Sequence, residues 1–157
     1  MSRHRVSRYL LLVVFLPMLA ACLPENEMMA RQYVVEWPEQ HLLFIADSRV
    51  GKVQSFFLGS GAPVASAQSH DAQRSSVRDL QLDAQRGQLW VLGDDGVSVH
   101  KARGLVLQKH ISLDTQQVST MRIEDGRVVL FDDTGERVGQ IDPRTLVASW
   151  LLPDHRG

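Results

Sequence analysis

The chain is expected to fold as an all-β domain of about three four-stranded antiparallel repeats, and three observations carry that expectation. From residue 33 onward, short runs of β-branched and large apolar residues are punctuated by Gly, Asp and Pro turn signals, without helical periodicity. Val77-Arg78-Asp79-Leu80-Gln81-Leu82-Asp83 matches Val118-Ser119-Thr120-Met121-Arg122-Ile123-Glu124 by residue type at an offset of about 41. Two further landmarks follow in register. Leu89-Trp90-Val91-Leu92-Gly93-Asp94-Asp95-Gly96 parallels Val128-Val129-Leu130-Phe131-Asp132-Asp133-Thr134-Gly135, and Leu105-Val106-Leu107 parallels Leu146-Val147-Ala148.

Before the repeats comes a different kind of sequence. Residues 1–9 carry Arg3, Arg5 and Arg8 and no acid, and residues 10–19 form an almost unbroken apolar run. Basic start, apolar run and small residues are the layout of a secretory signal. The run is about ten residues, against about twenty needed for a helix to cross a bilayer core, and Pro17 interrupts it late. A permanent transmembrane helix is therefore the weaker reading of this segment.

The run ends in Leu19-Ala20-Ala21-Cys22, which resembles the lipobox of bacterial lipoproteins. The resemblance implies cleavage between Ala21 and Cys22 and attachment of diacylglycerol to the Cys22 thiol, often with a third acyl chain on its amine. Cys22 is the only cysteine in the chain, so no internal disulfide competes for it. Two or more acyl chains hold a protein on a membrane where one does so only marginally. In that family an Asp after the cysteine favours retention at the inner membrane. Here Leu23-Pro24-Glu25 follows, which implies the outer membrane, with the body expected to face the periplasm.

The organisation expected is thus a signal peptide over residues 1–21, a lipidated flexible tether over residues 22–32, and a β-repeat domain over residues 33–157. Removing the leader leaves about 136 residues, enough for one domain, and shifts the net charge from −1 to about −4. No basic excess remains to neutralise phosphates, so nucleic acid is not an expected partner. The charges are scattered singly, as on an ordinary solvated surface.

The first repeat is the most degraded. Residues 33–37 would be its opening strand, residues 42–47 its apolar run and acid, residues 53–57 its third strand and residues 64–67 its fourth. Four antiparallel strands every forty-odd residues is the period of a β-propeller blade. The pattern of apolar run, Asp, Gly, apolar and polar residues, Gly and apolar run over residues 89–111 resembles the blades of the NHL and YVTN-type propeller families. Propellers close with about four to eight blades, so three leave open edges that invite pairing. Two copies completing a six-bladed ring, an open meander or small β-sandwich, and coverage by a partner protein all remain open at this stage.

The side chains point to no reaction. Asp94-Asp95 and Asp132-Asp133 sit at strand ends beside Gly96 and Gly135, where tight turns need these residue types. The histidines show no metal-ligand spacing, and neither a metal nor another cofactor is expected. Gly59-Ser60-Gly61 is neither a nucleophile elbow nor a phosphate loop. His70 and Asp71, near Ser75 and Ser76, read as loop composition. Trp37, Trp90 and Trp150 fall at strand positions, where they fill a core or, less simply, offer a stacking surface for a sugar.

Two function classes follow. The favoured one is a membrane-anchored, non-catalytic envelope module that binds a protein partner or itself, as scaffold or assembly factor. The alternative is small-ligand or glycan binding, or hydrolysis, at a propeller-like face bearing Trp37, Trp90, Trp150, Asp47, Asp94 and Asp133. Convergence of Asp47, Asp94 and Asp133 on one face would favour the second class.

Overall fold

A computed structural model describes residues 31–68, 76–113 and 117–151. Cys22, the signal segment, most of the tether and His70-Asp71 lie outside these residues. The described chain is all β, in three four-stranded antiparallel sheets whose strands pair in sequence order. Blade I holds β1 (Gln32–Trp37), β2 (Leu42–Asp47), β3 (Lys52–Phe57) and β4 (Pro63–Gln68). Blade II holds β5 (Val77–Asp83), β6 (Gln88–Gly93), β7 (Gly96–Lys101) and β8 (Val106–Ser112). Blade III holds β9 (Thr120–Glu124), β10 (Arg127–Phe131), β11 (Arg137–Asp142) and β12 (Val147–Trp150). The expected four strands per repeat are present in all three copies, including the degraded first. β1 begins at Gln32, one residue earlier than the expected domain boundary.

The blades stack as a fan rather than as the two opposed sheets of a β-sandwich. β5 lies against both β1 and β9, so the first strand of each blade is innermost. Blade II is the middle layer, and its central strand shows why. Alternate residues of a strand point to opposite faces. Leu89 and Val91 of β6 join Leu42, Phe44 and Val53 in the core between blades I and II. Trp90 and Leu92 join Met121, Val128 and Leu130 in the core between blades II and III. Residues 89–93 are consequently buried without interruption, the pattern of a strand covered on both faces.

The last strand of each blade is outermost and least covered. Val64 on β4, Val106 and Leu107 on β8, and Val147 and Trp150 on β12 are all exposed. The turns that lead into β8 and β12 carry the repeat down to the backbone. Leu105 and Leu146 both adopt positive φ, at +52° and +55°, a conformation costing a non-glycine residue about 1–2 kcal/mol. Each compensates by burial, Leu105 in the first core and Leu146 against the second. Gly96, at φ +141°, opens β7 so close to β8 that a Cβ would lie 2.2 Å from the Ile111 carbonyl oxygen.

Polar bonds lock blade II to blade III. Asp79, buried on β5, accepts from the Thr120 hydroxyl at 2.6 Å and from the Met121 N–H at 2.8 Å, both on β9. Arg78 donates to the Val118 carbonyl at 3.1 Å and Lys109 to the Leu146 carbonyl at 3.0 Å. Blade I is tied to blade II by apolar packing and a hydrogen bond from Arg103 to Gln40. Replacing Asp79 by Ala leaves the buried Met121 N–H without its acceptor, at a cost of about 1–3 kcal/mol. Urea denaturation of Asp79→Ala is expected to show that loss, with a larger effect than Arg103→Ala at the exposed bond between blades I and II.

Candidate functional site

The three innermost strands all begin at one end of the fan, and there they enclose a cleft of about 330 Å³. Blade I contributes Arg31 and Tyr33, blade II Arg78, and blade III Gln117, Ser119 and Asp133. Because successive strands are antiparallel, β2, β6 and β10 end where β1, β5 and β9 start. The repeat therefore delivers Asp47, Asp94 and Asp133 to this same end.

Their carboxylates do not converge. Asp47 turns back to accept from the Arg49 N–H at 2.8 Å, capping its own turn. Asp94 sits in the turn between β6 and β7, as expected, and its carboxylate also reaches the start of β5. It accepts from the Ser76 N–H and hydroxyl at 3.0 and 2.6 Å and pairs with Arg78 Nε at 2.8 Å, bracing the start of β5. Burial pushes its carboxyl up, but the Ser76 bonds and the Arg78 charge outweigh that and hold it below the ordinary value. Asp133 alone of the three lines the cleft directly.

Its neighbour Asp132 serves the turn, accepting from the Thr134 hydroxyl and N–H and the Glu136 N–H. The Thr134 hydroxyl, followed by the backbone donors, lowers its pKa. The N–H groups of Arg144 and Thr145 do the same for Asp142. The tryptophans separate as well. Trp37 and Trp90 fill the two cores, whereas Trp150 on the outermost strand is 43% exposed, against the core position expected for it. Nothing joins the three as one stacking surface.

The structure brings together a set that the sequence reading missed. Ser98 and His110 are register partners on β7 and β8. Ser98 Oγ lies 3.0 Å from His110 Nδ1, and Asp95 lies 3.7 Å from His110 Nε2. The order inverts that of a serine-hydrolase triad, in which the acid orients Nδ1 and the serine meets Nε2. Ser98 is buried, and the adjoining cavity between blades I and II, of about 10 Å³, holds at most one water. The arrangement ties β8 to β7 and to the turn before it. The β7–β8 register would have exposed the pair in advance, but register is not readable from one strand alone. Likewise Arg31 and Arg78 belong to different repeats and meet only through stacking of the blades.

His100 is buried in the same region and donates from Nδ1 to the Leu105 carbonyl at 3.1 Å. Burial lowers its pKa from the ordinary 6.5, and the Leu105 bond only partly opposes this. No group of three or more His, Cys, Asp or Glu side chains is placed to hold a metal among the described residues.

No protein-family model matches the chain, and no curated protein matches it. Solved structures do. A periplasmic gluconolactonase of Pseudomonas aeruginosa superposes with TM-score 0.60 at 16% identity, over 76% of this chain and 38% of that one. A protein from Lactobacillus plantarum gives TM-score 0.59 at 19% identity, over 76% and 40%. The computationally designed Ika4 protein gives 0.53 at 12%, over 76% and 64%. The chain thus spans between about a third and two-thirds of the structures it resembles. At these identities the likeness defines a fold. The protein is an open fan of three propeller-like blades.

Two expectations follow. Trp90→Ala empties a fully buried site and is expected to cost about 3–5 kcal/mol, while Trp150→Ala costs under about 0.5 kcal/mol, as read by urea denaturation. For His100, both folded and unfolded states are neutral above about pH 6.5. Below it the unfolded chain protonates first, so stability falls with pH until the folded histidine also takes up its proton. The urea midpoint should drop between neutral pH and about pH 5.5, and His100→Gln should flatten that drop.

Proposed function

We propose that the protein is a lipid-tethered module of the bacterial outer membrane that binds another envelope protein and performs no reaction itself. The observation carrying this reading is the outer edge of β4, β8 and β12, which pairs with no other strand among the described residues. Each offers a row of backbone donors and acceptors beside exposed apolar side chains: Val64, Val106 with Leu107, and Val147 with Trp150. Open sheet edges of this kind accept an added strand from a partner. The Leu19-Ala20-Ala21-Cys22 motif supports the tether, and a body held at the periplasmic face of the membrane would meet its partner in two dimensions rather than three.

The cleft supports a second reading, in which a small anionic or hydroxylated envelope ligand binds between Arg31, Tyr33 and Ser119. That reading needs no partner protein.

Crosslinking in intact cells with the tagged full-length chain, followed by mass spectrometry, separates the two. One or two envelope proteins captured with the native chain, and lost with Cys22→Ala, are the expected result. Cys22→Ala should also leave the membrane fraction. Capture of no specific protein would overturn the docking reading in favour of the cleft.

A further inference from the structure

The central strands of all three blades are apolar on both faces, yet only β6 has another sheet packed on each of them; on β10 the outward-facing Val129 is buried within its own blade. In β2, Leu42, Phe44 and Ala46 face blade II. Leu43 and Ile45 must then face away from it, and both are half-buried and belong to neither core. The pairing register identifies their counterparts. Val34 pairs with Ile45 on β1–β2, as Leu80 pairs with Val91 on β5–β6 and Met121 with Leu130 on β9–β10. In blades II and III this backward-looking set is buried against the preceding blade. In blade I the same set, Val34, Leu43 and Ile45, meets no other blade among the described residues, and Val34 is 53% exposed.

The opposite end of the fan is its complement. On blade III the forward-looking positions of β10 are Val129 and Phe131, the register counterparts of Trp90 and Leu92. Here they are screened by polar side chains: Arg122 lies over the Phe131 ring at 5.0 Å, and Gln140 pairs with Val129 across the sheet.

Among the polar residues on the two end faces, Glu36 and Arg122 carry opposite charge. Where β5 and β9 carry Leu82 and Ile123, looking back at the preceding blade, β1 carries Glu36. At the forward-looking position where β1 has Val35, packed against the first core, β5 has Gln81 and β9 has Arg122. Within the chain, Val35 and Leu82 both pack on the core between blades I and II. A blade I placed after blade III in the same manner would bring Glu36 and Arg122 into one seam.

We propose that these end faces close on a second copy of this chain: blade I of each copy packs on blade III of the other, making a six-bladed ring about a two-fold axis. The two seams are identical by symmetry, six blades lie within the closing range of propellers, and the Glu36–Arg122 pair sets the register of each seam. Closure leaves the outer strands β4, β8 and β12 on the circumference, free for a different partner. It also brings two copies of the Arg31, Tyr33 and Arg78 cluster around one axial mouth.

Native mass spectrometry of the purified full chain tests this without the envelope partner, so its outcome is independent of the docking reading above. The expected species is twice the mass of one chain. Glu36→Arg and Arg122→Glu are each expected to raise the dimer dissociation constant about tenfold or more, and the double exchange to restore it to within a few-fold of native. Circular dichroism should show all three variants folded, since both residues are exposed. A monomer at every concentration tested would overturn the proposal, and so would a dimer indifferent to both single changes or a double exchange that fails to restore it.

Discussion

The structure depends on one constraint: a sheet whose central strand is apolar on both faces must be covered on both. β6 meets it by lying between two other sheets, with Leu89 and Val91 turned one way and Trp90 and Leu92 the other. A single four-stranded meander cannot satisfy such a strand. Stacking copies of the meander can, because each new blade covers the exposed face of the one before. At about 25 cal/mol per Å² of apolar surface removed from water, these two layers dominate what holds the fan together, and the polar bonds chiefly set how the layers align.

Asp79 shows that alignment. Its carboxylate reaches across the second seam to a hydroxyl and a backbone N–H of β9, fixing the height at which blade III rides on blade II. The first seam is almost entirely apolar, apart from the bond between Arg103 and Gln40. The cleft at the start of the innermost strands is a product of the same stacking. Each blade supplies one to three polar groups that are unremarkable on their own strand and become a cluster only at the shared end.

Three readings of the chain therefore concern separate surfaces. The outer strands offer backbone pairing, the end faces offer blade-on-blade packing, and the cleft offers polar contacts near the axis. The lipid tether, if formed at Cys22, acts on none of them directly, because it precedes the innermost strand of blade I by several residues of chain. As proposed, it would confine the fan to a surface and raise the frequency with which it meets other membrane-held proteins.

Residue order by itself determined a good deal: all-β character, the period of about 41 residues, four strands per repeat, and strand positions within a residue or two even in the degraded first copy. Those features are local, since side-chain alternation and turn chemistry act over a few residues and repeat themselves. The resemblance of Leu19-Ala20-Ala21-Cys22 to a lipobox is legible for the same reason, as a contiguous motif. What only the tertiary structure decided was which face of each strand meets which blade. That choice left Trp150 exposed while Trp90 was enclosed, set Asp94 to brace Ser76 and Arg78, and joined Ser98 to His110. Such pairings span between about twelve and eighteen residues of chain and depend on register and stacking. No single strand contains that information, because it resides in how the repeats are superposed.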